Sequence, residues 1–275
     1  KKIRSSYRIN IIMKKYLVIG NPIDHSMSPK LHNHWIKKNN LNAIYEKKQI
    51  TESDLEEIIL DLKKGKIDGV NVTVPFKNKI IPFIDQLTEL SQITQSVNTI
   101  YKKDDKIIGD NTDIFGFENS LKHIGYDVKN KKIFILGAGG VVSSMILVLK
   151  KMGASKIILS NRTKKKAEDL KKSFSYLEII DWGKTPEFDM IINATSLGLN
   201  NNDEIKLNFP DIGVNKFFYD VIYNPKQTIF LKRAKMFGNK AENGKMMFLY
   251  QAHQAFTIWH KIMPEIDEET IKLLD

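Results

Sequence analysis

"KKIFILGAGGVVSSMILVLKKMG", residues 131–153, is the stretch whose reading decides the fold. An apolar run, Ile133 to Leu136, has the length of a buried strand. Glycines follow at 137, 139 and 140, and then an apolar segment of helical length closes on Lys150 and Lys151. A strand that meets a helix through a glycine-rich turn is the entry to a dinucleotide-binding α/β unit. Gly137 permits the tight turn, Gly139 lets backbone approach a pyrophosphate, and the helix N-terminus faces the negative charge. The third position of the fingerprint is Val142 where close helix–strand packing would call for glycine. A tight connection that binds nothing has the same outline, so the next strand is needed to decide. That strand ends "SNRTKKK", residues 160–166, without the acid that holds the ribose hydroxyls of NAD. Arg162 instead offers a planar fork for a ribose phosphate, and Asn161, Thr163 and Lys164 can hydrogen-bond or neutralise it. The chemistry favours NADP over NAD, while Thr163 also fits the N-cap of the following helix.

Working outward, the cycle repeats. Strands are expected at "YLEIID", "FDMIINAT" and "KFFYDVIY", and the segment "MMFLYQAHQAFTIWHKIM" reads as a helix apolar on a broad face. Upstream, "KKYLVIGNP", "NAIYEKKQI" and "IDGVNVTVPF" read as strands that alternate with the helices "PKLHNHWIKKNN" and "ESDLEEIILDLKKG". The alternation predicts a second, mostly parallel α/β layer. "SVNTIYKKDDKIIGDNTD" departs from it: two short runs around a charged "KKDD" predict a hairpin before the helix "IFGFENSLKHIG".

Composition narrows the functions. A chain of 275 residues, 42% of them apolar, can fill two cores. No apolar run reaches membrane-spanning length, and the basic first dozen residues lack the apolar block of a secretory signal, so residues 1–12 read as a tail, native or left from cloning. With no cysteine there is no disulfide, thiol nucleophile or thiolate-bound metal, which fits a reducing cytoplasm. His32 and His34 stand two apart on a helix and face different ways, so no metal site is expected. The formal charge of +11 is spread along the chain and does not form the stripe of a nucleic-acid binder; small anionic ligands suit it better.

Two motifs in the first half carry chemistry. In "NVTVPFK" Val70, Val72 and Val74 alternate with Asn71 and Thr73, giving an apolar and a polar face. Pro75 then ends the strand and places Lys77 just beyond it, where ligands collect in open α/β sheets. "GDNTD" ends on Asp113, where the first cycle gives way to the second. A lysine and a carboxylate in one cleft can hold a hydroxyl and trade its proton. Lys77 on its own could be a surface lysine, and Asp113 could be the N-cap of its helix.

"GNPIDHSMSP", "NVTVPFK", "SVNT", "GDNTD", "GAGG", "NRT", "INATSLG", "YDVIY" and the "NG…YQA" segment follow one another in order from Met13 onward. Together they resemble the shikimate dehydrogenase family over essentially the whole chain. The resemblance implies an NADPH-dependent reduction of 3-dehydroshikimate to shikimate on the route to aromatic amino acids. It places the catalytic pair on Lys77 and Asp113. Substrate hydroxyls fall to Asn71, Thr73, Asn98 and Gln251, and the carboxylate to Ser26, Ser28 and Tyr223. Cofactor contacts fall on Gly137, Ala138, Gly139 and Gly140 in the turn, on Asn161, Arg162, Thr163 and Lys164 at the strand end, and on Thr195 and Ser196. Val142 and Met246 depart from the family pattern, the latter standing where many members carry a second glycine.

This reading gives "GNPIDHSMSP" a purpose. Ser28 precedes Pro29, a favoured first helical residue, and is the expected N-cap; Ser26 adds a second hydroxyl, so the helix start becomes an anion site. The implied fold is two α/β domains: a discontinuous substrate domain of residues 13–112 plus 246–275, and a doubly wound Rossmann-type domain of residues 113–245. The implied partners are a small-molecule substrate and NADP, with neither nucleic acid nor membrane, in a cytoplasmic monomer or homodimer. An NAD-using quinate/shikimate dehydrogenase is the nearest alternative, and an NADPH-binding regulatory module without chemistry is the other.

Overall fold

The computed structural model describes residues 13–200 and 203–275, so the tail assigned to residues 1–12 lies outside the described residues. Among these residues two six-stranded sheets form. The first contains β1 (Lys14–Gly20), β2 (Ala43–Gln49), β3 (Gly69–Val72), β4 (Gln86–Leu87), β5 (Thr99–Lys103) and β6 (Lys106–Asp110), in the order β2-β1-β3-β5-β6-β4. β1 runs parallel to β2 and β3. β5 and β6 are the expected hairpin, antiparallel to each other, and β5 also pairs antiparallel with β3. Its turn is Asp104–Asp105 with φ of 47° and 60°, the two left-handed residues that match the twist of paired strands.

β3 is shorter than the alternation predicts. It ends at Val72, and Val74, expected on the apolar face, is 63% exposed. The chain turns at Thr73, whose carbonyl accepts from Phe76 N–H at 2.9 Å, and Phe76 takes the buried place instead. All four residues of β3 are buried, so this strand has no solvent face. Helices α1 (Ser28–Lys38), α2 (Leu55–Lys63) and α3 (Glu89–Thr94) cover the sheet. α2 carries Glu56 and Glu57 in its first turn and Lys63 in its last, each at the end the helix dipole favours.

The second sheet is parallel throughout: β7 (Lys132–Leu136), β8 (Lys156–Ser160), β9 (Glu178–Ile180), β10 (Met190–Asn193), β11 (Phe217–Asp220) and β12 (Lys240–Glu242). The order β12-β11-β10-β7-β8-β9 becomes 3-2-1-4-5-6 when counted from β7, the doubly wound arrangement that binds dinucleotides at its switch point. That point lies between β7 and β10. Helices α4 (Asp113–His123), α5 (Val142–Lys151), α6 (Lys164–Ser173), α7 (Phe209–Ile212) and α8 (Ile229–Met236) belong to this half of the sequence. Val142 is fully buried in the core between α5 and the sheet, so its bulk is absorbed by packing rather than held out by it.

α9 (Lys245–His260) ties the halves together and is followed by α10 (Glu268–Lys272). Met247 joins the core of the second sheet, with Phe117 and Leu121 of α4. Leu249, Ala252, Phe256 and Trp259 join the core of the first, with Tyr16, Leu31 and Trp35. Each such side chain, fully buried, contributes about 1.5–3 kcal/mol. α4 and α9 touch where Gly116 lies against them: a Cβ there would fall 2.7 Å from the Met247 carbonyl oxygen and 2.8 Å from Gln251 Cβ. Trp259 lies over Gly69 and donates from Nε1 to the Ile100 carbonyl at 3.1 Å.

Within this core His32 is 1% exposed, stacked on Tyr45 at 4.2 Å, and neither ring nitrogen has a hydrogen-bond partner. Burial pushes its pKa down to about 3, helped by His260 nearby. The unfolded chain therefore takes up a proton below about pH 6.5 that the folded chain refuses until about pH 3, so this residue's share of stability is complete above that range and is lost as pH falls through it. Thermal unfolding at several pH values checks this: His32→Phe should lose less stability than the wild type between pH 7 and pH 4.5, and equal losses would show that His32 is not the titrating group.

Candidate active site

The loop after β3 and the first turn of α4 meet in the crevice between the sheets. There the Lys77 ammonium and the Asp113 carboxylate form an ion pair, with side-chain exposures of 12% and 7%. Asp113 is the first residue of α4 and not its cap; the cap position is Thr112, which makes no side-chain capping bond. The carboxylate turns to Lys77 because an ammonium satisfies it better than a lone backbone N–H, and it still lies at the positive end of the helix. Its other oxygen accepts from Asn98 Nδ2 at 3.0 Å.

Asn98 is fixed from behind. Its Oδ1 accepts from Thr112 N–H at 2.8 Å, from the Thr99 hydroxyl at 3.0 Å and from the Thr112 hydroxyl at 3.1 Å. Its amide also reaches Gln251 Oε1 at 3.5 Å, which brings α9 to the same place. Asn71 lies alongside, donating to the Asn98 carbonyl at 3.0 Å and to Thr99 Oγ1 at 3.1 Å. Thr73, just past β3, is half-buried and donates its backbone N–H to Ile19 at 2.9 Å.

The start of α1 corrects the capping expectation. Ser28 is the first helical residue, and Met27 holds the cap position with no capping bond from its own side chain. Ser26 Oγ accepts from Ser28 N–H at 3.3 Å, so the capping role of a hydroxyl passes in part to Ser26. Ser28 lies beside the Tyr45 phenol, and the Met27 backbone beside the Tyr223 phenol. Burial raises the pKa of both tyrosines, so each phenol keeps its proton. Tyr223 is stacked on Phe248 of α9, with centroids 4.5 Å apart.

The glycine-rich turn abuts this cluster. Ser96 donates to the Gly140 carbonyl at 2.9 Å, and a Cβ on Gly140 would lie 3.3 Å from Lys77 Cβ. Gly137 has φ of 111° and passes so close to β10 that a Cβ would fall 2.6 Å from the Ala194 carbonyl oxygen. Gly139, next to Ala138, has open space where its Cβ would be, a cradle that any larger residue would begin to fill. Beyond the switch point Thr195 donates to Asn193 Oδ1 from its N–H at 3.0 Å and from its hydroxyl at 2.7 Å; Ser196 is exposed. Asn193 in turn donates to Asp220 at 3.0 Å, and the Thr228 hydroxyl donates to the other Asp220 oxygen at 2.6 Å. Burial pushes the Asp220 pKa up to about 6.

The strand end after β8 is divided. Arg162 is exposed, and among the described residues no carboxylate pairs with it. Lys164 is also exposed but pairs with Asp181 at 2.9 Å. Asn161 Nδ2 donates to the Thr163 carbonyl at 2.8 Å, and Thr163 holds the cap position of α6 without a side-chain capping bond. Met246 is half-buried against the core beneath α9, after Gly244. Ser96, Thr99, Thr112 and Tyr45 received no role from the sequence. The first three lie inside quoted motifs, which was the available signal, whereas Tyr45 reads as an ordinary core residue of β2.

A lysine–carboxylate pair beside the switch point of a doubly wound sheet is an arrangement that suits a dinucleotide-dependent oxidoreductase. The shikimate dehydrogenase substrate binding domain family matches residues 18–100, and the shikimate/quinate 5-dehydrogenase family matches residues 119–201. A shikimate dehydrogenase (NADP(+)) of Pelagibacter ubique is 63% identical over 95% of this chain and 99% of its own length. A crystal structure of a shikimate dehydrogenase in complex with NADP+ superposes with a TM-score of 0.89 at 34% identity, covering 95% of this chain and 94% of the other. The enzyme from Thermus thermophilus in complex with NADP(H) and shikimate gives 0.86 at 28% identity, covering 95% and 98%. The chain belongs to the shikimate dehydrogenase family.

One close approach locks the site's floor. Gly244, just before α9, has an ordinary φ of −75°, yet a Cβ there would lie 2.2 Å from the Val221 carbonyl oxygen. Gly244→Ala should therefore lower stability by about 1–3 kcal/mol through overpacking, measured by urea unfolding. An unchanged midpoint would mean that β11 and α9 can separate freely.

Proposed function

We propose that this protein oxidises shikimate to 3-dehydroshikimate with NADP, and runs the reverse reduction with NADPH. The observation that carries the reading is the buried Lys77–Asp113 pair, flanked by Asn98 and Gln251 and seated against Gly140 of the glycine-rich turn. The cofactor fits the residues present: Gly139 leaves open space at the turn, α5 presents its N-terminus, and Arg162 is free to meet a ribose phosphate. When bound, NADP supplies the group that takes up or delivers the hydride. Gly137, Ala138, Gly139 and Gly140 would hold its pyrophosphate, Arg162 with Asn161, Thr163 and Lys164 its ribose phosphate, and Thr195 and Ser196 would lie beside it. Because Lys164 already answers Asp181, Arg162 carries most of the preference for the phosphate.

The chain's own residues then divide the work. Lys77 gives a proton to the oxygen that forms on reduction and takes it back on oxidation. Asp113 aims the ammonium and grips a neighbouring hydroxyl. Asn71, Thr73, Asn98 and Gln251 hold ring hydroxyls, while Ser26, Ser28 and Tyr223 hold the carboxylate. We assign residues 13–112 with 246–275 to the substrate and residues 113–245 to the cofactor.

Shikimate-dependent NADP reduction, run beside quinate and beside NAD, tests the reading; a wild-type protein inactive on shikimate would refute it. Lys77→Ala and Asp113→Ala should each cut turnover by about a hundredfold or more while leaving the fold intact. Turnover at the wild-type level in the lysine variant would remove Lys77 from the chemistry.

Cofactor choice is tested separately. Arg162→Ala should weaken NADP by about 1–3 kcal/mol, the scale of a charge-assisted hydrogen bond, and leave NAD unchanged. Kinetic constants that moved equally for both cofactors would reduce Arg162 to a solvated residue at a helix start.

A further inference from the structure

Tyr45 is a buried phenol between the two ends of the pocket, 2% exposed, whose hydroxyl donates to Asn71 Oδ1 at 2.7 Å. Its ring is stacked on His32 with planes 7° apart and lies near Trp259, so the hydroxyl has little freedom to turn away. On the far side the Ser28 side chain lies beside the same phenol. A chain of hydrogen bonds thus runs from Tyr45 to Asn71, and on to Thr99 and Asn98.

The hydrogen-bonding inventory of Asn71 gives this chain a consequence. A primary amide offers two N–H donors and an oxygen with two lone pairs. Here Nδ2 gives to the Asn98 carbonyl and to Thr99 Oγ1, and Oδ1 takes one bond from Tyr45. One lone pair on Oδ1 is what remains. Asn71 can then accept from a ligand hydroxyl but has nothing left to donate, and turning the amide over would set its oxygen against the Asn98 carbonyl.

Resting on the function proposed above, we propose that Tyr45 is a positioning residue: it holds the Asn71 amide oxygen-first toward the substrate, so that a ring hydroxyl is accepted there. Tyr45 itself is too buried to touch the substrate and acts through Asn71.

Steady-state kinetics of Tyr45→Phe, Asn71→Ala and the double variant decide the matter. Tyr45→Phe keeps the stacked ring and removes only the hydroxyl. It should raise the KM for shikimate roughly tenfold, the effect of leaving a buried acceptor without its donor. The KM for NADP, the turnover number and the melting temperature should stay close to wild type. In the double variant the shikimate KM should be no higher than in Asn71→Ala alone, because Tyr45 acts through Asn71. An unchanged shikimate KM in Tyr45→Phe, equal rises for shikimate and NADP, or effects that multiply in the double variant would each overturn the proposal. So would a Tyr45→Phe protein too unstable to purify, since the hydroxyl would then serve folding and not substrate. A wild type inactive on shikimate overturns the proposed function and this inference together, whereas an active wild type with an unaffected Tyr45→Phe variant removes the inference alone.

Discussion

An ammonium and a carboxylate, both nearly buried, face each other where two sheets meet, and most of the surrounding structure serves to keep them there. Either charge alone in that place would cost several kcal/mol of lost hydration; together, and with further hydrogen bonds on the carboxylate, they are tolerated. Lys77 needs β3 to stop at Val72 so that the loop can carry it into the crevice. Asp113 needs α4 to begin at that residue, and Asn98 needs three donors on its oxygen so that its nitrogen is aimed at the carboxylate. The pair is therefore the point to which three separate elements of chain are referred.

The doubly wound half was the most legible part of the sequence. Parallel strands buried on both faces must be continuous apolar runs, and "KIFIL" and "KIILS" have no competing reading once the glycines stand between strand and helix. The hairpin at "KKDD" was legible for a different reason, because charged residues between two short apolar runs leave few other connections. Elements that went unread are short or weakly patterned: β4 has two residues, β12 has three, and α3, α8 and α10 are brief helices set by their neighbours more than by their own periodicity. The extension of β3 through Val74 failed because alternation says which way side chains point and nothing about where pairing stops.

For the site, the sequence identified residues by their motifs but could not show what they touch. The capping expectation for Ser28 was sound local chemistry, but the helix begins one residue earlier than that rule needs, with Met27 at the cap position and Ser26 accepting the Ser28 N–H. Lys164 and Arg162 look equivalent in "NRTK", yet Asp181, across the sheet edge, engages only the lysine. There a residue distant in sequence altered the availability of one that was correctly noticed. Tyr45 is the extreme instance: nothing in "NAIYEKKQI" separates a hydroxyl that organises a pocket from one that merely finds a partner.

The return of α9 to the first sheet carries a consequence for how the chain is made. Synthesis proceeds from the amino end, and domains ordinarily close as they emerge. Here Tyr16, Leu31 and Trp35 emerge early, but Leu249, Phe256 and Trp259, which seal them, come after the whole second sheet. The second sheet has all six of its strands before α9 exists and can close first, although it comes later in the sequence. Until the ribosome has passed Trp259, one face of the first sheet has only part of its cover, so the half that is begun first is completed after the other.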